Sequence, residues 1–323
     1  MFTGLIDLAS ELVGGVALET NDEFFAPASN LVKAFDPVFI PGKYTDRGKW
    51  MDGWESRRKR TPGHDWCIVR LGLPGVIRAI DVNTAHFLGN FPSHCSLDVS
   101  RDDDAATIHW TPALGKMRLE GGRSNIFEIA HDARVTLVRL NIFPDGGVAR
   151  LRVYGEVVPD LAKLKASTEP VDLASVVNGG RVIASSDEFF GHQNNLIMPG
   201  RPANMGGGWE TRRRRGPGYD WIIVQLGART AIQRLSIETE HYKGNYPDRC
   251  SIQCCDAPRA IPQDLITGKS RWAELLGESK LAPDAVRRFE TELNTAPPAT
   301  HVRLNIFPDG GISRLRVFGK IVE

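Results

Sequence analysis

Short stretches in which apolar and polar residues alternate recur along the chain. In "VRLNIF" (302–307) Val302, Leu304 and Ile306 share one face, while His301, Arg303 and Asn305 share the other. In "VTLVRLNIF" (135–143) Arg139 and Asn141 take the matching polar positions. The β-branched runs "WCIVRLG", "WIIVQLG", "LRVYG" and "LRVFG" read as strands as well. After each "NIF" comes Pro-Asp-Gly-Gly, which predicts a turn: proline presets φ and glycine accepts positive φ. Helical signals are few, confined to "SELVGG" (10–15) and "RWAELLGE" (271–278). Short strands punctuated by Gly and Pro turns predict an all-β fold, a β-sandwich of jelly-roll type.

The strand pattern occurs twice. "IDLASELVGG" (6–15) returns as "VDLASVVNGG" (171–180), and "NDEFFAPASNL" (21–31) as "SDEFFGHQNNL" (186–196). "GWESRRKRTPGHDWCIVRLG" (53–72) returns as "GWETRRRRGPGYDWIIVQLG" (208–227). "NTAHFLGNFPSHCS" (83–96) returns as "ETEHYKGNYPDRCS" (238–251), and "NIFPDGGVARLRVYG" as "NIFPDGGISRLRVFG". Order is kept throughout, so the chain is a duplicated domain. Two tandem jelly-roll sandwiches are expected, over 1–160 and 161–323, joined in the polar stretch 159–170.

Composition narrows the partners. Charged residues make up 24% of the 323 residues and the formal net charge is +1, which gives no electrostatic reason to expect nucleic acid. The basic clusters 57–60 and 212–215 are local, with acidic residues interleaved. No apolar run is long enough to span a bilayer, so no membrane partner is expected. The first residues carry no basic n-region and meet Asp7 and Glu11 early, unlike a secretory signal. Five cysteines without paired C-x-x-C spacing, Cys95 and Cys250 among them at matching positions, read as reduced thiols in a cytoplasmic protein.

Two groups of residues offer chemistry. The repeated strand arginines, Arg139 with Arg152 and Arg303 with Arg316, can fork onto a carboxylate or brace the turns through Asp145 and Asp309. The loop "GWESRR" brings Trp54, Glu55, Arg57 and Arg58 together before Asp65, and its copy brings Trp209, Glu210, Arg212 and Arg213 before Asp220. A carboxylate and arginines beside a tryptophan fit a pocket for a small polar ligand. His86 and His241 match in position, each just before a Gly-Asn pair that supplies Asn90 or Asn245, and each is either a proton-transfer group or a hydrogen-bonded structural residue. H-E-x-x-H, zinc-type cysteine pairs, G-x-S-x-G and phosphate-binding glycine loops are all missing from the sequence.

At "KWMDGWESRRKRTPGHDWCIVRLG" (49–72), taken with the two "NIFPDGG" segments, the sequence resembles the allantoicase family along essentially its whole length. The resemblance implies two jelly-roll domains in a cytosolic homo-oligomer, a trimer or hexamer. It also implies hydrolysis of allantoate to ureidoglycolate and urea in purine breakdown. Such a substrate asks for arginines around its carboxylate and for one acid and one base. Glu55, Asp65 and His86, with Glu210, Asp220 and His241 in the copy, are the proton-transfer candidates. Trp54, Arg57, Arg58, Asn90, Arg139, Asn141 and Arg152 are the binding candidates, with Trp209, Arg212, Arg213, Asn245, Arg303, Asn305 and Arg316 in the copy.

A divalent metal is one means of activating water, but no ligand set stands out, so no cofactor is predicted and the metal requirement stays open. The second copy has "RPANMGG" (201–207) in place of the segment containing "KYTDRGKWM" (43–51), which predicts that the first loop carries more of the function. The competing reading is a non-catalytic carbohydrate- or small-anion-binding β-sandwich. Such modules commonly display aromatic platforms, whereas the repeated polar letters here are Arg, Glu, Asp and His.

Overall fold

The alternating segments form strands, and the longest of them organises each half. Residues 4–102 and 108–322 are described by a computed structural model. Strand Asp65–Asn83 runs for 19 residues and serves two layers. Its first part pairs with Val135–Phe143 on one edge and Val16–Thr20 on the other. Its second part pairs with Arg150–Val157 and Ile126–Glu128. The change of partners falls at Leu73-Pro74-Gly75, where the ladder to Val135–Phe143 shifts register. One layer is completed by His94–Ser100 and Thr111–Arg118, the other by Ile6–Asp7. Inward-facing Val138, Leu140, Leu97, Ile80, Val82, Leu151 and Val153 are all essentially buried. At about 1.5–3 kcal/mol for each fully buried aliphatic side chain, this packing is what closes the sandwich.

The second half repeats the plan. Asp220–Glu238 pairs first with Ala299–Phe307 and Arg181–Ser185, then with Arg314–Ile321 and Val286–Phe289. Each sheet draws its strands from one half only. The chain divides into two compact units, one of residues 5–158 and one of residues 159–322 together with Gly4. It is an all-β protein of two tandem jelly-roll sandwiches.

The Pro-Asp-Gly-Gly turns form as expected, with cis Phe143–Pro144 and Phe307–Pro308 bonds and with Gly146 and Gly310 at φ 138° and 135°, positive values that favour glycine. The second glycine of each turn has a different task. A Cβ on Gly147 would lie 2.0 Å from the Phe87 ring, and one on Gly311 would lie 2.0 Å from Tyr242.

Both segments with helical signals turn out otherwise. Residues 10–15 give a single 3-10 turn, Glu11–Val13, capped by Ser10 Oγ and ended by Gly14 at φ 96°. Residues 271–278 fall largely in strand Ala273–Lys280, because ladder bonds to Arg249–Cys255 outweigh the local preference of "AELL". The join carries a short helix, Leu161–Lys165, with Asp160 accepting from the Lys163 N–H.

The polar face of Ala299–Phe307 is covered too. His301 and Asn305 are buried, and Ile223, Cys255 and Leu265 form a small apolar cluster on the same layer, with Trp221 and Trp272 packed on it. All five cysteines are free and buried. Burial pushes the thiols of Cys67, Cys95, Cys250 and Cys255 up to about 12. Among the described residues no helix is long and apolar enough to cross a membrane.

Candidate functional site

The "GWESRR" loop is stretched between two aspartates. Trp54–Glu55 pairs with Gly147–Val148 and bridges to Ala26. Trp54 is fully buried and its Nε1 donates to Asp22 O at 2.8 Å. The Asp22 carboxylate accepts from the Phe24 N–H, the Arg57 N–H and Arg57 Nε, the last at 2.6 Å. Burial disfavours the Asp22 anion, but these hydrogen bonds and the Arg57 charge outweigh it and hold its carboxyl below the usual range. At the far end Asp145 accepts from the Lys59 N–H at 2.8 Å, and Ser56 Oγ accepts from the Gly146 N–H. Asp187 and Asp309 hold the second loop in the same way, through Arg212 and Arg214.

This anchoring leaves Glu55 beside Asn90 at the rim of the first unit, with exposed Arg57 and Arg58 following in the chain. Asn90 Nδ2 donates to Glu55 Oε1 at 2.7 Å, while Oε2 has no hydrogen-bond partner among the described residues. Burial pushes the Glu55 carboxyl up, and the Asn90 bond opposes that rise only in part. Arg58 and Arg213 are exposed and have no ion-pair partner among the described residues. Arg57 and Arg212 are exposed but committed to Asp22 and Asp187. In the second unit Asn245 makes the corresponding bond to Glu210.

The first rim has an extra cation. Arg47 belongs to the segment that the second copy lacks. Its guanidinium stands 5.1 Å from the Phe24 ring centre, and Arg57 stands 5.2 Å from the same ring. Arg47 Nη1 also donates to Phe24 O at 3.0 Å. In the second unit Phe189 has Arg212 alone among the described residues.

Other candidates go elsewhere. Trp54 and Trp209 are core residues, not walls of a pocket, because each is fully enclosed with its Nε1 spent on a backbone carbonyl. Asp65 and Asp220 are also enclosed, paired with Lys59 at 2.6 Å and with Arg214 respectively, and brace the loops from below. Asn141 and Asn305 are buried among sheet side chains, donating to Ser96 and Ser251. Arg139 pairs with Asp98 at 2.8 Å and lies over Trp110, whereas Arg303 donates to Asn305 and lies over Trp221. Arg152 is tied to Asp7 and to backbone carbonyls of Lys33 and Ala34, and Arg316 to those of Met198 and Gly200.

His86 and His241 sit in left-handed backbone, φ 69° and 71°. Their Nε2 atoms meet Pro37 O at 3.1 Å and Pro202 O at 2.9 Å, so each donates there to a loop carbonyl. Among the described residues no group of three His, Cys, Asp or Glu forms a metal-ligand set.

Sequence reasoning missed Asp22 and Asp187 as loop anchors, although both stand in the repeated "DEFF" blocks. It also missed Arg47 as a rim cation and the contrast between Lys59 and Arg214 beneath the loops.

The duplicated loops, anchors and turns occupy both halves, and the family model for the allantoicase repeat matches residues 6–158 and 171–322. The chain belongs to the allantoicase family. It is 48% identical over 320 residues to a probable allantoicase of Burkholderia mallei, covering 98% of this chain and 94% of that protein. It is 47% identical to a probable allantoicase of Rhizobium meliloti, with 99% and 95% covered. The crystal structure of allantoicase from Saccharomyces cerevisiae superposes with a TM-score of 0.81 at 32% identity, covering 98% of this chain and 93% of that one.

Proposed function

We infer that this protein is an allantoicase: it adds water to allantoate and releases urea and ureidoglycolate, with the rim of the first unit as the principal site. The observation that carries the site is Glu55. Its carboxyl is half-buried and pushed up, one oxygen is held by Asn90, and the other is unpartnered among the described residues. A carboxylate whose pKa moves toward neutrality suits proton transfer near physiological pH.

In the proposed reaction Arg58 receives the substrate carboxylate as a planar fork of donors. Glu55 takes a proton from water as the water oxygen bonds to the central carbon. The carbon–nitrogen bond breaks in the same step, since the tetrahedral central carbon takes no fifth bond, and the proton held by Glu55 passes to the departing ureido nitrogen. Water, proton and leaving group balance without any further reactant. Asn90 is the positioning residue for Glu55. Arg47 and Arg57, ranged around Phe24, add positive charge at the first rim, whereas Phe189 in the second unit has Arg212 alone over its ring among the described residues.

The cytoplasmic location and the homo-oligomeric state, trimer or hexamer, are part of the same reading. Five free buried thiols support the former. Light scattering of the purified protein tests the latter. The site is tested by urea release from Glu55→Gln and Glu210→Gln variants. The first is expected to lose more activity, and equal losses would show two equivalent sites.

A further inference from the structure

The second unit has a cavity of about 630 Å³ that the loop chemistry does not use. It lies on the outer face of the layer built from Asp220–Glu238, Val286–Phe289 and Arg314–Ile321. Alternation explains its polarity. Leu235, Ile237, Phe289, Leu315 and Val317 point into the core, so Arg234, Ser236, Glu238, Arg288 and Arg316 point out. With Arg201 and Glu240 at the edge, four guanidinium groups meet two carboxylates, leaving an excess of positive charge.

Two features mark it as a site for a ligand. Glu240 is only 8% exposed, and its Oε1 accepts from Arg201 Nε at 2.9 Å, yet Oε2 has no hydrogen-bond partner. A buried carboxylate oxygen left in that state is costly unless an N–H donor reaches it. Arg234 lies over the Phe318 ring at 4.4 Å, and neither it nor exposed Arg288 has a carboxylate partner among the described residues.

The shared fold does not demand these charges. In the first unit Arg152 faces Asp81, whose other neighbour is Ile126, whereas in the second Arg316 faces Ser236, whose other neighbour is Arg288. The first unit closes the same face differently. Asp81 accepts from the Ser124 hydroxyl and from the Asn125 N–H. In the repeat alignment Ala85 stands where the second copy has Glu240, and Asn83 where it has Glu238.

We propose that this cavity is a second binding site, for a small ureido acid whose carboxylate meets Arg234 and Arg288 and whose N–H groups meet Glu240. A simple inorganic anion would satisfy the arginines but leave Glu240 Oε2 unmet. The preference for a ureido acid over other carboxylates bearing N–H groups rests on the hydrolase reading above.

Calorimetric titration of the full-length protein with hydantoate, a stable ureido acid, tests the site, with propionate as the carboxylate lacking N–H. Hydantoate is expected to bind more tightly than propionate. Arg288→Ala and the isosteric Glu240→Gln are each expected to weaken it about tenfold or more, the scale of a charge-assisted hydrogen bond. Thermal unfolding of both variants checks that they fold, and Glu55→Gln should leave this binding in place. Absence of hydantoate binding, equal binding of propionate, or weakening only by Glu55→Gln overturns the proposal. Urea release from the same preparation separates the two readings. Release of urea without binding at Arg288 removes this site and keeps the hydrolase. Binding that depends on Arg288 without urea release keeps the site and removes the hydrolase.

Discussion

Asn90 holds Glu55 by one carboxylate oxygen, donating from Nδ2 at 2.7 Å, and Asn245 holds Glu210 in the second unit. The bond favours the Glu55 anion while burial disfavours it, and burial is the larger effect. A base works deprotonated, so activity should rise with pH through the Glu55 pKa. Removing the donor penalises the anion further. Asn90→Ala is therefore expected to move the acidic limb of the kcat/KM profile to higher pH, and Asn245→Ala is expected to move it little. Paired pH–rate profiles check both.

Arg58 is a cation on the first loop, next to Arg57, with no carboxylate of its own among the described residues. Losing a charged hydrogen bond to the substrate costs about 1.5–3 kcal/mol, or roughly tenfold to a hundredfold in kcat/KM. Arg58→Ala should show that loss with unchanged thermal stability, and Arg213→Ala should show less. Steady-state kinetics of the two variants decide between the loops.

The strands, the duplication and the two loops were legible in the sequence because alternation and turn chemistry are local signals. The layer change within Asp65–Asn83 was not, since the apolar run continues straight through it. Ala273–Lys280 was misread because pairing with Arg249–Cys255 is a long-range effect. For the proposed site, residue type pointed to a loop rich in Glu and Arg. It gave no means of separating Glu55, which reaches the rim, from Asp65, which lies beneath it paired with Lys59. Trp54 carried a similar ambiguity, because a tryptophan fits a pocket wall and a core equally well.

Asp52 illustrates a residue kept for stability. It neutralises buried Arg150 at 2.7 Å, and the second copy has Gly207 at that position, with Arg314 bonded instead to backbone carbonyls. Burial pulls Arg314 down to about 10, a sign of how poorly such a site tolerates an uncompensated charge. Asp52→Ala leaves Arg150 enclosed without a counter-charge and should cost about 3–5 kcal/mol of unfolding free energy. Denaturant titration measures it.

His301 sets a pH dependence of stability. It is buried beside Thr300, with Nδ1 3.0 Å from the hydroxyl, and burial together with the Arg181 charge lowers its pKa from 6.5 to about 4. The unfolded chain takes up the proton first as pH falls. Stability is therefore whole above about pH 6.5, declines down to about 4, and changes no further from this group below that. The full loss is roughly 3 kcal/mol. His301→Gln, compared with the parent protein by thermal unfolding across this range, should lose less as the pH is lowered.

Hydrolysis of allantoate at the Glu55 rim is measured directly as urea released from allantoate by the purified protein and by its Glu55→Gln variant. The parent protein is expected to release urea and ureidoglycolate in equal amounts. The variant, isosteric but unable to take up the proton, is expected to be slower by about a hundredfold or more, the usual contribution of a general acid–base group. No urea from the parent protein at any pH between neutral and alkaline, with or without added divalent metal, would contradict the function. Full activity in Glu55→Gln would contradict the site.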